Sequence, residues 1–302
     1  MVEHRGVKGG ASLSCAAVVL HRPDPEILGR LAAGLRGHRL IAVANGPLAP
    51  SARSALGKVD LRLIENERNL GLGVGLNVAT RAAAQEGFDH VFLLDQDSEP
   101  PQGLIRALTA RADALARAGE RAAVLAPRLL PPAEGNYRPI RYAWRGRTQV
   151  KGLAPVDFAP TSGSLTRLAA YAEIGPFRED FFIAGIDVEW GFRAWSRGWS
   201  SFVATDLAMP HRWGEAASPE DAATPQILRH APVRNYYYAR NVVATARLPY
   251  VPALWRARSC VSLVAQIGLL ALRGSPSSLR PVRAGLRDGV LGRMGPAPTG
   301  LV

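Results

Sequence analysis

VFLLDQDSEPP, residues 91–101, starts as four apolar residues and then sets two carboxylates one residue apart. Four apolar residues in succession read as a strand buried on both faces, the kind found in a parallel sheet. Pro100 and Pro101 stop it, because proline has no N–H to give to a ladder. Asp95 and Asp97 therefore lie just past the strand's carboxyl end, where ligands of open α/β sheets bind. Two negative charges this close repel, and they need a cation or strong donors to remain ionised together. The tripeptide alone is weak evidence, since twelve Asp in 302 residues give about half a DxD by chance. Its position carries the weight.

Working outward, CAAVVLH (15–21), LIAVAN (40–45), VDLRLIE (59–65), AAVLAP (122–127) and SSFVAT (200–205) also read as strands. Asp24 and Pro25 form an N-cap and first-turn pair that predicts a helix through about Arg36. Further helices are predicted at 74–86 and 102–118. TSGSLTRLAAYAEIG (161–175) reads as a turn and helix, and 177–199 as a loop opening a second helix. Residues 131–160, rich in Pro, Arg and aromatics, read as irregular excursions near the site. Strands alternating with helices in units of about 30 residues predict an α/β fold, a mostly parallel sheet with helices on both faces.

Composition limits the alternatives. With 47% hydrophobic residues and a mean hydropathy near zero, the chain buries a sizeable core and is not disordered by composition. Cys15 and Cys260 are too few for a disulfide framework or a cysteine-rich metal site, and both read as small buried hydrophobes in a reducing compartment. SLSCAAVVL (12–20) is apolar, but His21-Arg22-Pro23-Asp24 follows in place of a small-residue cleavage site, so it reads as the first core strand. No stretch reaches the length of a membrane-spanning helix.

The net charge of +12 is uneven, because residues 229–302 carry eleven Arg and one acid, Asp288. Such a block points to a polyanionic partner or to a solvated face written in arginine. No nucleic-acid-binding module is present, so nucleic acid is not expected. In LWRARSCVSLVAQIGLLALR (254–273), Arg256, Ser259, Ser262, Gln266 and Arg273 form one polar stripe on an otherwise apolar helix. That helix either packs on protein, the α/β domain or a second subunit, or lies in a membrane interface.

Three further elements carry possible chemistry. NLGLGVGLN (69–77) has glycines at relative positions 1, 3 and 5, not the 1, 3 and 6 of the dinucleotide fingerprint. Its glycines allow either close approach of a phosphate or sugar, or a tight loop packed on the sheet. Asp187, in FFIAGIDVEWGFRAW, is a candidate general base at the mouth of a helix, or an acid that complements the helix dipole. The dipole explains Glu189 well enough. His211 follows the strand at 200–205 and is a candidate third ligand beside Asp95 and Asp97 for a hard divalent cation, Mg²⁺ or Mn²⁺.

Together VVLHRPD, NERNLGLGVGLNVA, VFLLDQDSEPP, SGSLTRL, FFIAGIDVEWGFRA and MPH resemble, in order and spacing over about residues 15–215, the inverting glycosyltransferases of family 2. DQDS, with NLG about 25 residues before it, and DxEW are most similar to the bacterial dTDP-rhamnosyltransferase branch. The resemblance implies a GT-A-type domain over residues 1–215 and a basic, mainly helical extension over 216–302. It implies a metal-dependent enzyme that moves L-rhamnose from dTDP-rhamnose onto a growing, lipid-linked or free cell-surface glycan. Rival donors are UDP-galactofuranose, UDP-glucose and UDP-galactose, and a rival class is a non-catalytic module binding a nucleotide sugar or an anionic lipid. By the same resemblance Asp187 is the base, Asp95, Asp97 and His211 hold the metal, and Asn45, Asn69, Gly71, Asp95, Gln96 and Asp97 contact the nucleotide sugar. Two departures bear on the nucleotide base: Ala44 replaces an acid in VANGP, and LHR replaces TYN. The expected location is cytoplasmic, with peripheral contact at the inner face of the cell membrane.

Overall fold

The alternating pattern of the sequence folds into one eight-stranded sheet, in a computed structural model that describes residues 11–131, 142–211, 231–273 and 276–301. The first half supplies β1 (Ser14–Leu20), β2 (Arg39–Asn45), β3 (Asp60–Asn66) and β4 (His90–Leu94), all parallel to their neighbours in the order β3-β2-β1-β4. The helices α1 (Pro25–Gly34), α2 (Pro50–Leu56), α3 (Leu72–Gln85) and α4 (Leu104–Arg117) follow these strands in turn. Asp24 does cap α1, its carboxylate accepting from the N–H groups of Glu26 and Ile27.

The second half contributes β5 (Ala122–Leu130), β6 (Leu153–Val156), β7 (Ser164–Arg167) and β8 (Ser200–Pro210), and the full order is β3-β2-β1-β4-β7-β5-β8-β6. β5 and β8 are parallel, while β7 runs antiparallel to both β4 and β5, and β6 antiparallel to β8. Helices α5 (Leu168–Ile174) and α6 (Ile186–Ser196) lie between β7 and β8. β4 is buried on both faces as its composition predicts. Phe92 and Leu94 enter one core layer with Leu28, Leu31 and Leu108, and Val91 and Leu93 enter the other with Ala79, Ile174 and Trp190.

The second half departs from the reading of the sequence in two places. The irregular stretch 131–160 contains β6 in its described part, and SLTR, read as a turn into a helix, is β7. Both strands are four residues long, too short for period-two alternation to register. α2, seven residues without a side-chain cap, was also invisible to pattern.

Among the described residues, β8 is followed by α7 (Pro232–Ala246), α8 (Ala253–Arg273) and α9 (Pro276–Leu291). They share a small core of their own, built on Ala239, Val242, Leu263, Leu270 and Val282. Most of the boundary drawn at 215/216, with Arg212–Glu215 of MPHRWGE, falls outside the described residues. Cys15 is buried as expected, whereas Cys260 is exposed, because it lies on a side of α8 that no described element covers. Among the described residues no helix is long and apolar enough to cross a membrane.

Candidate active site

Three parallel strands end side by side and bring the candidate residues to one edge of the sheet. Asp95 follows directly on Leu94, the last residue of β4, and the turn that starts there closes through Ser98 N–H donating to the Asp95 carbonyl at 3.1 Å. Gln96 reaches back to the end of β1, accepting from the His21 N–H at 2.8 Å and donating to the His21 carbonyl at 3.3 Å. His21 in turn places Nδ1 3.0 Å from the Asn45 carbonyl at the end of β2. DQD is thus clamped to its two neighbours before any ligand arrives.

Ser162, in the SGS turn before β7, is the junction that sequence reading missed. Its hydroxyl lies 3.3 Å from the Asp95 N–H, 3.0 Å from Ser98 Oγ and 3.5 Å from His211 Nδ1. It therefore ties the DQD turn to the end of β8, where His211 N–H donates to the Leu130 carbonyl at 2.8 Å. The faint signal was the SGS stretch itself, small polar residues directly before a strand.

Burial pushes the Asp95 carboxyl above the usual carboxylate range; His211 opposes this, the charge of Asp97 adds to it, and Arg234 and Ser162 oppose it. Arg234, in the first turn of α7, is exposed and was not singled out from the sequence, where it is one arginine among many. Asp187 lies in the first turn of α6, with Oδ1 accepting from the Val188 N–H at 2.9 Å. Its carboxyl is pushed up to about 6, mainly by burial and further by the charge of Asp95. Asp187 thus lies in the space that the charge of Asp95 reaches.

Glu189 is separate from this space. It is fully buried, pairs with Arg193 through two 2.9 Å bonds, and accepts from the Tyr250 hydroxyl. Its role is structural.

The glycine-rich segment resolves the two readings it left open. A Cβ on Gly73 would lie 2.4 Å from the Arg178 carbonyl, and one on Gly75 would lie 2.6 Å from Val19. Gly71 has φ +92, and its Cβ would meet Phe182 at 2.8 Å. All three are explained by close packing of protein on protein. Asn45 is buried, donating to the Gly71 carbonyl at 2.9 Å and accepting from Asn66 at 2.8 Å, so its side chain shapes this loop. Asn69 bonds the Gly71 N–H at 2.9 Å and remains exposed. Ala44 is completely buried, so nothing at that position is offered to a nucleotide base.

The loop before α6 is strained and held from outside. Phe182 and Ala184 adopt φ of 64° and 69°, values L-residues rarely take. Asn241 of α7 donates to the carbonyls of Phe181, Ile183 and Ala184 at 3.0, 2.8 and 2.8 Å. The buried Arg240 donates to the carbonyls of Asp180 and Phe181 at 3.1 and 2.9 Å, and Phe182 stacks on Tyr237 with centroids 5.0 Å apart. On its other side the Phe182 carbonyl accepts from the Leu72 N–H at 2.6 Å. The C-terminal extension is therefore part of the site's scaffold.

Among the described residues, no three His, Cys, Asp or Glu side chains form a ready cation cage. The donor set still fits a hard divalent ion. Asp95 and Asp97 are half-buried carboxylates that repel each other, His211 faces Asp95, and Mg²⁺-class ions are commonly held by one or two carboxylates with substrate phosphates completing the shell.

No family model matches the chain. It is 25% identical to the dTDP-rhamnosyl transferase RfbF of Shigella flexneri over 255 residues, covering 82% of this chain and 84% of that protein. TarS of S. aureus, solved with UDP-GlcNAc, superposes with a TM-score of 0.53 at 14% identity, covering 92% of this chain and 80% of TarS. GalNAc-T7, solved with UDP, GalNAc and Mn²⁺, gives a TM-score of 0.55 at 14% identity, covering 88% of this chain and 57% of that one. The chain has the fold of the GT-A glycosyltransferases and is similar in sequence to a bacterial dTDP-rhamnosyl transferase.

Proposed function

We propose that the protein is a metal-dependent inverting glycosyltransferase that moves L-rhamnose from dTDP-rhamnose to a hydroxyl of a cell-surface glycan. The observation that carries this reading is the electrostatic coupling of two carboxylate stations. One is the DQD turn fixed at the end of β4; the other is Asp187, whose carboxyl is raised to about 6 and feels the charge of Asp95. The sequence likeness to RfbF supports the rhamnosyl donor, and the UDP and Mn²⁺ bound by the structural neighbours support a nucleotide-sugar site that uses a divalent ion.

In this reading Asp95 and Asp97, with His211 beside them, hold Mg²⁺ or Mn²⁺, which when bound neutralises the donor's pyrophosphate. Gln96 keeps their turn locked to β1 so that the carboxylates need not reorganise. Asp187 takes the proton from the acceptor hydroxyl as its oxygen bonds the anomeric carbon and the bond to the nucleotide diphosphate breaks. A single displacement of this kind inverts the configuration through an oxocarbenium-like state. A carboxyl of about 6 suits the role, being ionised at neutral pH yet a stronger base than an ordinary aspartate.

The test is a panel of dTDP-, UDP- and GDP-sugars assayed for release of the nucleotide diphosphate with and without Mg²⁺ or Mn²⁺. Turnover of dTDP-rhamnose that needs the metal is the expected result. Turnover confined to a UDP-sugar would move the donor assignment, and no turnover with any donor would leave a binding module.

A further inference from the structure

The helix α8 packs on α7 through a narrow face. Leu263 and Leu270 are its buried residues, and beside them Gln266 Nε2 donates to Tyr238 OH of α7 at 2.9 Å and to Ser262 Oγ of its own helix at 3.0 Å. The centre of its polar stripe, the face a surface helix ordinarily shows to water, is therefore used against protein. The opposite face is apolar and open. Leu254, Val261, Val264, Ala265 and Leu272 follow one another at helical spacing along it, with Val261 and Val264 each 69% exposed and Leu272 86%. At 1.5 Å per residue this stripe runs for about 27 Å. Single exposed apolar residues need no explanation, whereas a continuous stripe marks a contact surface.

Charge identifies what the stripe contacts. Among the described residues from 231 to 301, every exposed charged side chain is an arginine, and five of the eight lie on α8 and α9: Arg258 within the stripe, Arg273 at its end, and Arg280, Arg283 and Arg287 on α9. The one acid there, Asp288, is buried and bonded to Arg287 and Tyr236. A second copy packed α8 on α8 would bring arginine against arginine. A bilayer rich in anionic lipid offers both what the stripe lacks, acyl chains for the valines and leucines and phosphate for the arginines. We infer that α8 lies in the plane of an anionic membrane surface, with its Leu254–Leu272 face in the headgroup–acyl boundary. This rests on α8 and α9 and stands whether or not the transfer reaction is as proposed.

The full-length protein is sedimented with vesicles of phosphatidylglycerol and phosphatidylcholine, and with phosphatidylcholine vesicles as control. It should pellet with the anionic vesicles at low salt, release at high salt, and bind the neutral ones weakly. Val261→Glu with Val264→Glu should weaken binding by about tenfold or more, since each change loses apolar burial and sets a carboxylate against anionic lipid. Both positions are exposed, so the melting temperature should not move. If that variant melts early, Arg280→Glu with Arg283→Glu tests the electrostatic half and should weaken binding in the same assay. A wild-type chain that ignores anionic vesicles at low salt overturns the inference. So does a double glutamate variant that pellets like wild type, or one whose sole effect is to turn a dimer into a monomer.

Discussion

The two carboxylate stations of the site are built in opposite ways. Asp95 and Asp97 leave a strand buried on both faces, and Gln96 pins their turn to the neighbouring strand. Asp187 leaves a loop with left-handed backbone at Phe182 and Ala184, and side chains about 60 residues further on hold that loop in place. Such strain costs on the order of 1–3 kcal/mol per residue and persists only where the surroundings enforce it. The first station is fixed by its own element. The second borrows its geometry from α7, so damage far from the chemistry should reach it.

That contrast can be broken at several points. Asp187→Asn should leave donor affinity near normal while turnover falls on the order of 10²–10⁴-fold, the usual loss when a general base is removed. Single-turnover kinetics and donor titration read the two quantities separately, and activity within a factor of about two of wild type would place the base elsewhere. Asn241→Ala removes the side-chain donor of the Ile183 and Ala184 carbonyls and leaves the Phe181 carbonyl to Arg240 alone among side chains. A displacement of about 1 Å can cost roughly 10²-fold, so kcat should drop towards that limit with donor affinity unchanged and a lowered melting temperature. A variant that loses donor affinity and turnover in parallel would show that α7 supports the whole sheet edge and not the Asp187 loop in particular.

The pH profile sharpens the comparison from the other side. A base raised to about 6 is protonated below that pH, so kcat should fall about tenfold per pH unit on the acid limb. The sign for stability is the reverse: the raised carboxyl favours the fold at low pH, and this contribution is lost as pH rises through about 6. Asp95→Asn removes a charge that lifts Asp187, so donor-free titration of Asp187 by NMR should show its midpoint shifting down. His211→Ala should have the smallest effect, a several-fold higher metal requirement with partial activity, because water can replace one ligand. An unchanged metal titration would take His211 out of the metal's shell.

The same contrast governed what the sequence could reveal. β4 and its carboxylates were legible because one contiguous run encodes both the buried strand and the residues at its end. Asp187 was legible as a helix-mouth acid, but its support was not. Arg240 and Asn241 sit in YYYARN, inside a basic tail, and an arginine in such a context reads as solvated when this one is completely buried under aromatic rings. Ser162 was passed over because its partners, Asp95 and Ser98 in one turn and His211 in another, lie about 50 to 70 residues from it on either side. The polar stripe of α8 was read correctly as a stripe, yet which face meets water depends on Tyr238, a residue no periodicity connects to Gln266. β6 and β7 exist because neighbouring strands pair with them, not because their four-residue segments specify a strand.

The division of labour between the stations is tested most directly by donor binding and turnover measured side by side for Asp97→Ala and Asp187→Asn, using dTDP-rhamnose with Mn²⁺. Asp97→Ala should lose metal-dependent donor binding and turnover together while melting like wild type, since its side chain is only half-buried and stands outside the core. Asp187→Asn should keep the binding and lose the turnover. Wild-type donor affinity in Asp97→Ala, or lost donor affinity in a folded Asp187→Asn, would contradict the assignment of donor and acceptor chemistry to these two sites.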